Sequence, residues 1–104
     1  MNLHISIDRS KIEVFCQKWK ITELSFFGSA LRNDFRPDSD VDILVSFASD
    51  ENWDLFDHMS MEEELGVIIG RKVDLLTRRS VERSENWIRR KSILSGSEPY
   101  YVAG

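Results

Sequence analysis

The heptapeptide Val41-Asp42-Ile43-Leu44-Val45-Ser46-Phe47 limits the possible folds more than any other stretch of this chain. Its β-branched and aromatic residues favour a pleated, half-buried backbone. Period-two geometry puts Val41, Ile43, Val45 and Phe47 on one face and Asp40, Asp42, Leu44 and Ser46 on the other. An apolar side this regular needs a sheet beside it and helices over it. The second face carries two carboxylates one residue apart, with Cα atoms roughly 6.6 Å apart by strand geometry. Like charges so placed repel one another unless something positive meets them.

The surrounding sequence supplies both sheet and helices. Ser10 and Glu13 read as a capping box, and Ile12, Phe15, Cys16 and Trp19 recur at helical spacing, so a helix is expected over residues 9–19. ITELSFF, residues 21–27, reads as a strand running into a turn at Gly28, and residues 29–32 as the start of a short helix. NDFRPDSD is loop by composition. Residues 54–69 read as a helix with Leu55, Phe56, Met59, Leu65 and Ile69 near one side, a weak point at Gly66 and a stop at Gly70. Met59 and Met61 are expected to pack on that face near Phe56. KVDLLT, residues 72–77, is a third strand; Trp87 and Ile88 hint at a short helix in an arginine-rich segment, and EPYYVA reads as a terminal strand. The order predicts an α/β (α+β) domain, a small mixed β-sheet with helices packed on one face.

At 104 residues the chain is expected to form a single domain over 1–104. A hydrophobic fraction of 41% beside 31% charged residues excludes a disordered or membrane-spanning chain. No apolar run approaches the roughly 20 residues that span a bilayer, and the start has neither a basic nor an apolar leader region, so a cytoplasmic location and no membrane partner are expected. Cys16 has no second cysteine to pair with and reads as a small core residue. Net charge is −4, yet residues 71–91 hold eight basic against three acidic side chains. An acidic chain is a poor match for a long nucleic acid, whose non-specific binding rests on many cationic contacts. A single nucleotide suits it better.

The acids then acquire a chemical reading. Mg²⁺ takes hard oxygen ligands, commonly one or two carboxylates completed by phosphates and water, so Asp40 and Asp42 on a rigid strand make half a site. Asp74 stands in phase with Leu76 as Asp42 does with Leu44, which offers a third carboxylate from a neighbouring strand. Gly28-Ser29 offers the anion half, since glycine admits close backbone approach and a serine hydroxyl with nearby N–H groups can hold phosphate oxygens. Each feature has a plainer reading: aspartates on half-exposed strands, or a turn glycine that needs no ligand. Arg32 and Arg36 could meet phosphates or pair with Asp34 and Asp38. His4 and His58 lack ligand-like spacing. Arg78, Arg79, Arg83, Arg89 and Arg90 could face an acidic partner, a nucleotide or simply water, and Trp53, Trp87, Tyr100 and Tyr101 are candidates for a partner interface.

Taken together, Gly28-Ser29-x-x-Arg32, Ser39-Asp40-x-Asp42-Ile43-Leu44-Val45 and Gly70-Arg71-Lys72-Val73-Asp74-Leu75 closely resemble the minimal nucleotidyltransferases of the DNA polymerase beta superfamily. The resemblance covers roughly residues 20–78. It implies the polymerase beta-like fold, ATP as substrate, and two Mg²⁺ ions held by Asp40, Asp42 and Asp74, with Asp74 also placed to accept the proton of the attacking hydroxyl. It further implies nucleotide contacts from Gly28, Ser29, Arg32 and Ser39. Many family members are antitoxins paired with an all-helical HEPN ribonuclease toxin, so the resemblance implies transfer of AMP to a toxin tyrosine, within a homo- or hetero-oligomer. A non-catalytic antitoxin that neutralises its partner by occlusion is the alternative. Where family members often carry glycine after the arginine, this chain has Asn33, which tolerates left-handed backbone angles better than most residues.

Overall fold

The computed structural model describes residues 7–31, 40–48 and 53–103. Along the chain run α1 (Arg9–Lys18), β1 (Ile21–Phe27), a single 3-10 turn (Gly28–Leu31), β2 (Val41–Phe47), α2 (Leu55–Ile69), β3 (Val73–Thr77), α3 (Arg78–Glu82), α4 (Trp87–Gly96) and β4 (Glu98–Val102). The four strands form one mixed sheet in the order β3-β2-β1-β4. β1 is antiparallel to β2 and β4, whereas β2 and β3 are parallel. Parallel neighbours need a crossover, and α2 provides it.

The helix boundaries follow from their caps. Asp8, not Ser10, caps α1: its Oδ1 accepts from the backbone N–H groups of Ser10 at 3.1 Å and Lys11 at 3.3 Å. The expected capping box is thereby corrected, because an aspartate two positions earlier already satisfies the orphan donors of the first turn. Asp54 and Asp57 cap α2 reciprocally, and Gly70 ends it with a left-handed φ of 76°. Gly66 does not break this helix. Its carbonyl accepts from both Gly70 N at 2.8 Å and Arg71 N at 3.2 Å, and an added Cβ would lie 3.2 Å from the Arg71 carbonyl oxygen. The glycine thus lets the chain fold back tightly onto the last helical turn.

The apolar face of α2 differs from the one expected. Met61, Leu65 and Ile69, spaced i, i+4, i+8, are buried. Leu55, Phe56 and Met59 are 71%, 77% and 55% exposed. Only the later turns of α2 lie against the sheet, so hydrophobicity in its first turn does not report burial. The arginine-rich segment likewise forms two helices rather than one, α3 capped by Thr77 and α4 by Asn86.

The main core joins α1 and α2 to one face of the sheet: Ile12, Phe15 and Cys16 meet Met61 and Leu65 over Leu24, Phe26, Ile43 and Val45. This is the helix-covered face the sequence leads one to expect. On the other face a smaller cluster of Phe27, Leu44, Val81 and Ile93 seats α3 and α4. Polar clasps tie the larger layer down. Glu64 accepts from Lys18 Nζ at 2.8 Å and from Trp19 Nε1 at 3.1 Å, linking α1 to α2. Glu62 Oε2 takes the backbone N–H of Leu75 at 2.9 Å, satisfying a donor on the edge strand β3.

Candidate active site

The smaller-cluster face places the acids. Asp42 is flanked in register by Phe27 of β1 and Asp74 of β3. In-register residues of neighbouring strands point to the same face, so the two carboxylates sit side by side on strands about 4.8 Å apart. One step further along the strands the register partners are Leu44 and Leu76, which belong to the small apolar cluster. Both strands therefore present an acid near their N-terminal ends and a leucine beneath it.

Gly28 follows Phe27 directly and is required twice over. Its φ of +70° strains any L side chain. A Cβ built there would also lie 3.3 Å from Asp42 Cγ and closer still to Oδ2, inside the 3.0 Å that real Cβ atoms keep. The glycine thus lets the turn backbone lie directly against the Asp42 carboxylate.

These residues open onto a cavity of about 470 Å³, a volume suited to a small organic ligand. Phe27, Gly28 and Leu31 border it on the β1 side, and Asp42 and Asp74 lie within it. From α4 come Arg89, Ser92, Ile93 and Gly96. Ile93 is 7% exposed and anchors α4 in the small cluster. Arg89, Ser92 and Gly96 stand four and one residues before it and three after, on the same side of the helix.

Of the residues singled out from sequence, the structure brings together Gly28, Asp42 and Asp74. Ser29 lies in the 3-10 turn immediately after Gly28. Asp40 is exposed, directly before β2, and does not line the cavity. Arg32 and Ser39 fall outside the described residues. Among the described residues no three acidic, histidine or cysteine side chains are grouped closely enough to cage an ion unaided. Two adjacent carboxylates beside an open cavity nevertheless suit Mg²⁺, which usually completes its octahedron with water and substrate phosphates. The α4 residues were not distinguished from other surface arginines by sequence; the one available signal was the i, i+4 spacing of Arg89 and Ile93.

Comparison with known proteins places this geometry. Residues 9–98 match the family model for the nucleotidyltransferase domain. The chain belongs to that family, and the mixed sheet with its acid-bearing strands is a nucleotidyltransferase fold. Among its relatives, MntA of Thermococcus cleftensis, a protein adenylyltransferase, is 36% identical over 66 residues, 64% of this chain and 65% of that protein. MJ0435 of Methanocaldococcus jannaschii, a candidate protein adenylyltransferase by its name, is 35% identical over 79 residues, 76% of this chain and 83% of its own. A toxin–antitoxin crystal structure with AMP-PNP superposes with a TM-score of 0.71 at 19% identity, covering 93% of this chain and 75% of that one. A tri-AMPylated HEPN toxin of Shewanella oneidensis in complex with its MNT antitoxin gives 0.61 at 19% identity, covering 90% and 69%. At that identity the likeness is one of fold. No helix among the described residues is long and apolar enough to cross a membrane.

Proposed function

We propose that this chain is a Mg²⁺-dependent protein adenylyltransferase that moves AMP from ATP to a tyrosine hydroxyl of a HEPN-type ribonuclease toxin, and so acts as its antitoxin. The observation that carries the reading is the register pairing of Asp42 with Asp74 beside a glycine turn that only a residue without a Cβ can make. The relatives named as protein adenylyltransferases and the fold shared with toxin–antitoxin complexes supply the acceptor class.

In this reading Asp42 and Asp74 would hold magnesium, joined by Asp40 from directly before β2 once its exposed side chain turns toward the cavity. When bound, the ions offset the charge that develops on the phosphate oxygens. The Gly28-Ser29 turn meets the triphosphate, and Arg32 and Ser39 keep the nucleotide contacts that the sequence pattern gives them. Asp74 takes the proton of the acceptor hydroxyl as its oxygen bonds to the α-phosphorus. The bond from that phosphorus to the bridging oxygen of the β-phosphate breaks, and pyrophosphate departs. The chain's part is chiefly positioning, which accounts for much of the barrier lowering when reacting atoms are held in line.

The test is incubation with ATP labelled at the α-phosphate, Mg²⁺ and the protein encoded by the adjacent gene. Label on the partner, lost in Asp42→Ala and Asp74→Ala and released from a tyrosine by peptide mapping, is the expected result. Neutralisation of the partner that persists in both variants points instead to occlusion and overturns the catalytic reading.

A further inference from the structure

We infer that Arg89 of α4 is a phosphate-binding residue of this site, holding the β- or γ-phosphate of the nucleotide from the α4 wall of the cavity; the inference rests on the reading above and adds a substrate contact to it. Arg89 lines the same cavity as Asp42 and Asp74 and supplies the one cationic side chain among its described lining residues. No ion pair or side-chain hydrogen bond joins its guanidinium to any described residue; only its backbone N–H is engaged, at 3.1 Å from Asn86 Oδ1. A cation beside two carboxylates that pairs with neither is available to an anion that enters later.

Two of its basic neighbours, Arg78 and Arg90, are employed differently. Arg78 lies 3.8 Å from Glu23 and 3.4 Å from Glu82, and Arg90 Nη1 donates to the Ser84 carbonyl at 2.8 Å, closing the turn between α3 and α4. These arginines build structure, whereas Arg89, exposed, lines the cavity from a helix whose rotation is fixed by buried Ile93. A guanidinium presents parallel N–H donors that match two phosphate oxygens, which a point charge cannot do equally well. The acids that share the cavity repel a bare triphosphate, so a cation in its lining serves the phosphates that the metal does not neutralise. Gly96, one helical turn beyond Ser92, keeps the same wall low: a Cβ there would meet nothing within 4 Å. A longer side chain at that position can therefore extend into the cavity without displacing the fold.

The experiment measures binding of Mg·ATP and Mg·AMP to the purified full chain by calorimetry, for wild type, Arg89→Ala, Arg89→Lys, Gly96→Leu and the exposed control Arg83→Ala. Arg89→Ala should bind Mg·ATP roughly ten- to a hundredfold more weakly, the usual span for losing a charge-assisted contact. Mg·AMP should be held within about twofold of wild type, because the lost contact lies beyond the α-phosphate. Arg89→Lys should recover part of the loss, Gly96→Leu should weaken both ligands, and Arg83→Ala neither. Mg·ATP binding unchanged in Arg89→Ala overturns the inference, as does an equal loss for ATP and AMP, which marks a merely structural role. Should the alanine variant fail to fold, Arg89→Gln and Arg89→Lys carry the same ATP-against-AMP comparison. A wild-type chain that binds Mg·ATP with this Arg89 dependence yet labels no partner overturns the proposed acceptor chemistry and leaves the phosphate contact standing.

Discussion

The two faces of the sheet are built to different ends. The face under α1 and α2 is closed: Leu24, Phe26, Ile43 and Leu65 are at most 1% exposed, and Lys18, Trp19 and the Leu75 N–H at its margins are clasped by Glu64 and Glu62. The face under α3 and α4 has a far smaller apolar cluster, and beside it two in-register carboxylates open onto a cavity. Side-by-side acids do not stabilise a fold by themselves, since like charges across neighbouring strands are unfavourable. The larger core supplies the stability that the second face forgoes.

The largest expected effect breaks the first face. Leu65→Ala removes a fully buried side chain from the closed layer and should cost about 2–5 kcal/mol, read as a drop in the denaturant midpoint at unchanged slope. Ile93→Ala, in the thinner cluster beside the cavity, should fall at or below the lower end of that range while weakening Mg·ATP binding, because it frees α4 to turn. Equal stability costs with nucleotide binding intact would erase the contrast between the faces.

A pair of glycines sharpens it. Gly28 and Gly70 share a left-handed backbone, with φ of 70° and 76°, yet a Cβ at Gly70 meets nothing within 4 Å while one at Gly28 strikes Asp42. Gly70→Ala should therefore cost only the conformational strain, about 1–2 kcal/mol. Gly28→Ala should cost that and more, and should also abolish label transfer by displacing the carboxylate. Thermal melts of both variants beside the transfer assay separate the two terms. A smaller effect is expected of Glu64→Gln, which keeps shape but removes the charge met by Lys18 at 2.8 Å; the pair is half exposed, so a loss of about 0.2–1 kcal/mol should appear in melts at low salt and shrink at high salt.

What the sequence made legible divides along the same line. Strand alternation in VDILVSF and KVDLLT is a local property, and it put Asp42 and Asp74 in phase with Leu44 and Leu76 before any contact was known. Their register confirms that phase as geometry. The cap at Asp8 and the buried face of α2 are not fixed by local pattern, because both depend on where the chain comes to rest. Two capping candidates two positions apart start the helix at different donors and local sequence does not choose between them, and an apolar first turn is buried only if something lies over it. Leu55 and Phe56 have no such cover among the described residues. The approach of α4 to the cavity leaves only a faint trace in sequence, the spacing of Arg89 and Ile93, since one buried isoleucine in a polar segment fixes a helix face only once Phe27 and Leu44 are there to receive it.

The effect that is smallest at neutral pH, where it vanishes, concerns Cys16. The thiol is wholly buried in the closed layer, and burial, aided by the Glu13 carboxylate, pushes its pKa up from 9.0 to about 12. An acid that holds its proton longer when folded costs the fold stability progressively between the two values, and the loss is complete above the higher one. Below pH 9 both states keep the proton, and Cys16 makes stability no more or less dependent on pH. Between pH 9 and about 12 the unfolded thiol ionises while the folded one does not, so stability drains away as pH rises. Tyrosines and lysines titrate in the same region, and the useful quantity is therefore the difference between wild type and Cys16→Ala. That gap should be constant up to pH 9 and then close as the wild type loses its thiol contribution. The native thiol should also resist iodoacetamide at pH 8, with alkylation appearing by mass spectrometry only in denaturant. Ready labelling of the folded chain would mean that the helix-covered face opens as easily as the cavity side, and the distinction between the two faces would fail.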